Sequence, residues 1–178
     1  QDAIRQAGKA VLVEGYLDAV RAHLSGYPYT VASLGTSVTS QQLATLARLT
    51  DTVVLALDPD PAGLAAAART SLAALAEVTR TRGRGTGASA ALELRIAQLP
   101  ADHGDPDDLL RSRPELWDEA LLSAAPAFEF YFAQTLASID RSSEQWRQEA
   151  IDRLLPVIQQ FSSSAGWQAT WIQRLSLE

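Results

Sequence analysis

Four short apolar runs, separated by segments long enough to form a helix, govern what this chain can become. They lie at 10–13, 30–34, 52–57 and, more weakly, 91–99, and they close at Glu14, Gly35, Asp58 and Pro100. Unbroken runs of this length mark strands buried on both faces, and their alternation with helical segments is the pattern of βαβ units on a parallel sheet. The intervening segment 16–25 carries Leu17, Val20 and Leu24 as an apolar stripe to lay on that sheet, and it stops at Gly26. Thr39 followed three residues later by Gln42 is a capping box, opening a helix through Leu43, Leu46 and Leu49. The Ala-rich segment 62–78 is helical by propensity alone. The stretch TRTRGRGTGAS at 79–89 has no periodicity and three glycines, which predicts a loop. After Pro100 the pattern changes to helices only, at 114–122, 124–137, 142–161 and 166–177, with a turn at 162–166 and no strand signal. The expected fold is α/β: an open parallel sheet flanked by helices over 1–112, then a small all-helical subdomain over 113–178, with no internal repeat.

Charge and composition narrow the function. Among 178 residues, 15 basic and 21 acidic side chains leave a formal charge of −6, which excludes a basic protein that grips nucleic acid with its whole surface. Zero cysteines exclude disulfides and thiolate zinc sites, and His23 and His103 lie too far apart for zinc-ligand spacing, so any metal must be held by oxygen. No apolar run approaches the roughly 18 residues of a membrane span, and Gln1 opens no signal segment, so a soluble, cytoplasmic protein is expected. Methionine is absent even at position 1, so the chain reads as a piece excised from a longer product.

Acidic residues stand at or just beyond the carboxyl ends of predicted strands, where open parallel sheets place their binding crevice. Glu14 follows the first, Asp58 and Asp60 follow the third in LDPDPAG, and Asp105, Asp107 and Asp108 follow the fourth in GDPDDLL. Two unit charges about 4 Å apart repel by about 4 kcal/mol at an effective dielectric near 20, so a convergent set requires a cation. Oxygen ligands select Mg²⁺, Mn²⁺ or Ca²⁺, which hold phosphate oxygens during in-line displacement. Each element also has a plain reading. Glu14 is a solvated strand end, DPDP is turn composition, and GDPDDLL is a helix start with Asp105 as cap and Pro106 at the first helical position. There is no Ser/His/Asp arrangement, P-loop or GxGxxG, and the GRGTG at 83–87 follows a helix rather than a strand.

Taken in order, EGYLD at 14–18, SLGTSVT at 33–39, LDPDPAGLAAAAR at 57–69 and DPDDLLR at 105–111 closely resemble the Toprim domain of bacterial DnaG-type primases. APAFEFYF at 125–132 resembles the start of the helical segment that follows it. The resemblance implies part of the RNA-polymerase core of an enzyme that makes short RNA primers on single-stranded DNA. The zinc-binding domain, the basic first part of the core and the helicase-contacting domain would lie outside this chain. Its partners would be template, ribonucleoside triphosphates, the RNA primer and, through those other parts, the replicative helicase; its location would be the nucleoid.

The resemblance also assigns residues. Glu14, Asp58, Asp60, Asp105 and Asp107 become the acidic metal-site set for Mg²⁺ or Mn²⁺, with Asp18 and Asp108 as outer members, and Glu14, Asp58 and Asp60 as the catalytic group. Gly15 would permit close backbone approach, Gly63 close approach of the next helix, and Gly35 and Thr36 a phosphate-side loop. Lys9 and Arg111 would approach phosphates. The chain departs from the family at Pro59, where glycine is usual; proline fixes its own φ and pushes Asp58 towards extended geometry. Ala62 stands where topoisomerase-like Toprim sites tend to carry a third acid, favouring the primase branch. Two rival readings are a Toprim nuclease and a non-catalytic Toprim scaffold. Arg80, Arg82 and Arg84 read as a solvated loop, and Trp117, Trp146, Trp167, Trp171, Tyr16 and Phe128 as packing.

Overall fold

The computed structural model describes residues 1–35, 38–58, 60–82, 92–102, 105–160 and 165–177. In chain order the elements are α1 (Asp2–Ala7), β1 (Ala10–Val13), α2 (Tyr16–Leu24), β2 (Thr30–Ala32), α3 (Ser40–Leu46), β3 (Thr52–Ala56), α4 (Pro61–Arg82) and β4 (Glu93–Ala97). They continue with α5 (Pro106–Ser112), α6 (Pro114–Leu122), β5 (Ala125–Pro126), α7 (Ala127–Ala137), α8 (Trp146–Gln160) and α9 (Ala165–Leu177).

The strands lie in the order β2-β1-β3-β4-β5, parallel except for β5, which runs antiparallel to β4. Because successive side chains on a strand point to opposite faces, the buried strands feed two cores. Ala10, Leu12, Val53, Leu55, Leu94 and Ile96 pack with α3, α4, α7 and α8. Val11, Val13, Val54, Ala56 and Ala97 pack with α2, α5 and α6, around a fully buried Trp117. The chain steps from β1 outward to β2, then jumps back across β1 to β3, so the helices leave the two central strands on opposite faces. That reversal opens a crevice between the carboxyl ends of β1 and β3.

Several elements differ from expectation. The stripe Leu17, Val20, Leu24 on α2 is not laid on the sheet: these side chains are 61%, 52% and 76% exposed, and Tyr16 beside them is 64% exposed rather than packed. α2 buries Asp18 and the small Ala22 instead, because the first turn is held by polar bonds around Asp18. α4 continues through residues expected to form a loop, placing Arg80 on a helix; Thr79 Oγ1 donates to the Leu75 carbonyl at 2.9 Å. Arg84 lies outside the described residues, as does the Arg82 side chain. β5 adds a strand where only helices were expected. The Arg95 Nε and Nη2 atoms secure it, donating to the Ala124 carbonyl at 2.9 and 2.6 Å. Phe128 is buried, and Trp167 and Trp171 meet its ring edge-on at 4.7 and 4.6 Å, so α9 closes over α7 through aromatic packing.

Candidate active site

Glu14 and Asp58 emerge at the carboxyl ends of β1 and β3, and the cap of α5 brings Asp105 beside them. Three of the aspartates are oriented by the helices they begin. Asp18 Oδ2 accepts from the Gly15 amide at 3.0 Å, Asp60 Oδ2 from the Gly63 amide at 2.8 Å, and Asp105 Oδ1 from the Asp108 amide at 2.9 Å. A carboxylate bonded to first-turn amides satisfies donors the helix cannot and sits where the helix dipole favours negative charge. The plain reading of GDPDDLL is therefore realised in full, with Asp105 as cap and Pro106 at the first helical position. The two caps, Asp60 and Asp105, each keep one carboxylate oxygen without a hydrogen-bond partner among the described residues. The glycines have a specific reason. A Cβ on Gly15 would lie 2.8 Å from Asp18 Oδ2, and one on Gly63 would lie 2.8 Å from Asp60 Oδ2. Gly63 thus makes room for a carboxylate rather than for a neighbouring helix.

The electrostatics tie four acids together. Burial raises Glu14 above its usual range, and the charges of Asp58 and Asp18 raise it further. Burial also raises Asp18, partly offset by the Gly15 amide, while Asp105 and Asp58 push it up again and the Asp107 amide pulls it down. Asp58 is raised by burial and then by Asp105. Asp107 goes the other way: hydrogen bonding from Arg21, aided by Arg111, holds it below the ordinary carboxylate value. Arg21 Nε and Arg111 Nη2 each donate to a different oxygen of Asp107, both at 2.6 Å.

The structure brings Glu14, Asp18, Asp58 and Asp105 into mutual influence and sets Asp107 beside them under two guanidinium groups. Asp60 caps α4, exposed, and Asp108 is exposed on α5. Gly35 lies in the loop whose Leu34 amide donates to the Glu14 carbonyl at 3.1 Å. Thr36 and Pro59 lie outside the described residues. Lys9 stands at the amino end of β1, the far end from Glu14, with Nζ 5.4 Å from the Tyr29 ring centroid. Two features escaped sequence reasoning. Leu34 holds φ +57° beside Glu14, a left-handed conformation rare for a branched side chain, and nothing local announces it. Arg21 meets Asp107 across 86 positions, a contact that only the fold reveals.

The donors suit a hard divalent cation, being carboxylate oxygens throughout. Among the described residues no three acidic or histidine side chains close on one point tightly enough to cage an ion. An Mg²⁺ ion ordinarily takes one or two carboxylates and completes its shell with water and substrate phosphates. An open set of carboxylates fits that habit.

Residues 8–82, which run from β1 through α4 and carry Glu14, Asp18, Asp58 and Asp60, match the family model of the Toprim domain. Beyond that segment, the chain is homologous to DNA primases. The Escherichia coli DNA primase is 34% identical over 156 residues, 87% of this chain and 25% of that protein. The Haemophilus influenzae DNA primase is 35% identical over 151 residues, 84% of this chain and 24% of that protein. A DnaG primase catalytic domain bound to single-stranded DNA superposes with a TM-score of 0.74 at 28% identity, covering 96% of this chain and 52% of the other. The RNA polymerase domain of Mycobacterium tuberculosis primase DnaG gives 0.71 at 26% identity, covering 99% and 53%. The chain thus spans about a quarter of the curated relatives it matches and about half of the solved catalytic domains. No described helix is long and apolar enough to cross a membrane.

Proposed function

We propose that this chain carries the metal-binding catalytic centre of a DNA primase, with a Toprim domain at 1–112 and the helical subdomain of the primase core at 113–178. The observation that supports it best is the meeting of Glu14, Asp18, Asp58 and Asp105 at the crevice between β1 and β3, three of them held above their ordinary ionisation range by burial and by one another. Asp58, which has no hydrogen-bond donor among the described residues, and the free oxygen of Asp105 would hold the cation; Asp18 and Asp60 would act through water. When bound, Mg²⁺ or Mn²⁺ would neutralise charge on a triphosphate and lower the pKa of an attacking primer 3′-hydroxyl. Glu14, at the carboxyl end of β1 and without a hydrogen-bond donor among the described residues, would accept the hydroxyl proton. Gly35, in the loop bonded to the Glu14 carbonyl through Leu34, would approach the phosphates, and Arg111 would do so from α5, where it pairs with Asp107. Template, ribonucleoside triphosphates and primer are the partners this chemistry requires.

The test is template-directed RNA primer synthesis with Mg²⁺ by the protein that carries these residues. Asp58→Ala and Asp105→Ala should each abolish it; undiminished synthesis refutes the assignment. Metal-dependent cleavage of plain DNA without nucleotides would point to a nuclease instead. A chain that gives no heat on titration with Mn²⁺ would be a scaffold.

A further inference from the structure

α2 and α5 flank the acidic centre from positions far apart in sequence, and one short ion pair joins them. Arg21, one turn beyond Asp18 on the same face of α2, donates a guanidinium hydrogen bond to Asp107 Oδ1 at 2.6 Å. Arg111, within α5 itself, occupies Asp107 Oδ2 at 2.6 Å. The Arg21 and Asp107 side chains are 32% and 25% exposed, so this pair is partly shielded from water, unlike the open surface pairs of the chain. With both oxygens committed to guanidinium groups, Asp107 is a tie between two helices. Its neighbour two residues back, Asp105, is the acid that α5 delivers to the centre.

We propose that Arg21 is a positioning residue. Acting through Asp107, it fixes the cap of α5 against the first turn of α2 and so sets the spacing between Asp105 and the Glu14/Asp18 pair on which cation binding depends. Asp107 serves as the strut between the two helices. The proposal rests on the reading of the centre as a divalent-cation site. Arginine suits the role because its planar fork fixes direction as well as charge, which a lysine ammonium does not.

The test uses Mn²⁺ affinity of the 178-residue chain, read from the electron paramagnetic resonance signal of free Mn²⁺. Arg21→Ala should weaken binding by roughly tenfold to a hundredfold, as loss of a residue that orients ligands does. Arg21→Lys should restore part of the loss. Asp107→Ala should weaken binding similarly, and the Arg21→Ala/Asp107→Ala double variant should be no weaker than Asp107→Ala alone, because both changes cut one link. If Arg21→Ala melts too low to assay, Arg21→Gln enters the same cycle. Parent-like affinity in Arg21→Ala, losses that multiply in the double variant, or tighter binding on freeing Asp107 from Arg21 each overturn the strut. A parent chain without Mn²⁺ affinity overturns the cation site itself, and the strut with it, before any substitution is made.

Discussion

Replacing Gly15 by alanine adds one methyl group at the point where β1 hands over to α2, and the structure says what it meets. Gly15 has φ −89° and ψ 148°, an extended conformation open to any L-residue, so the backbone itself raises no objection. The new Cβ would stand 2.8 Å from Asp18 Oδ2 and 3.5 Å from its Cγ, closer than such atoms can approach. The Asp18 carboxylate, only 9% exposed, must therefore swing off the Gly15 amide and lose the 3.0 Å hydrogen bond between them. A hydrogen bond to a charged group contributes roughly 1.5–3 kcal/mol. Restricting the unfolded chain by Gly→Ala returns about 0.4–1 kcal/mol, leaving a net loss of about 1–2 kcal/mol. For a chain of 178 residues each 1 kcal/mol moves the melting temperature by roughly 2–4 °C, so Gly15→Ala should melt about 2–8 °C lower by circular dichroism. Gly166→Ala, with nothing within 4 Å of the added Cβ and a helical position in α9, should instead stabilise by about 0.5–1 kcal/mol. A Gly15→Ala chain melting at or above the parent temperature would refute the steric argument.

Asp105 combines two roles that substitution can separate. Asp105→Asn keeps a capping oxygen and should leave the melting temperature nearly unchanged while weakening Mn²⁺ binding; Asp105→Ala should lose the cap as well, at about 1 kcal/mol. Carboxylates whose folded pKa values are raised stabilise the fold while protonated, and this contribution is lost as pH rises through those values. Without divalent metal, Glu14, Asp18 and Asp58 should therefore make the melting temperature fall as pH climbs from their ordinary values of 4.5, 3.8 and 3.8 towards neutrality. A metal-free melting temperature that rises across that interval would contradict the coupling. Asp107, held low by Arg21, acts oppositely: its share is present above its ordinary value and is lost as pH falls through the lowered one. Added Mg²⁺ should offset the loss at neutral pH, by about 2.7 kcal/mol at a hundred times its dissociation constant; a melting temperature indifferent to millimolar Mg²⁺ would count against binding.

The central strands were legible because burial on both faces demands unbroken apolar runs, and β1 and β3 supply them. The Thr39 capping box was legible because both of its hydrogen bonds are local. Asp105 was readable as a cap for the same reason, and the acids at strand ends could be placed because parallel sheets put their crevices there. What failed was anything decided by tertiary context. Periodicity put Leu17, Val20 and Leu24 inward, yet the face of α2 is chosen by Asp18 and by the small Ala22 that lets the helix approach the sheet. The end of α4 was misplaced because Thr79 and Arg80 have no apolar rhythm, although a helix already under way extends readily over such residues. β5 and α1 are too short to carry a pattern.

The jump of the chain from β2 back across β1 has a temporal meaning. Glu14 is synthesised early, Asp58 only after the outer strand has been laid down, and Asp105 after β4 has completed its pairing. No contiguous stretch of the polypeptide can assemble the acidic crevice by itself, so if the crevice binds a cation as proposed, capture would belong to the last stage of maturation. A nascent chain halted before α5 would hold Glu14, Asp18 and Asp58 without Asp105, and a bound ion would then be a signature of finished folding.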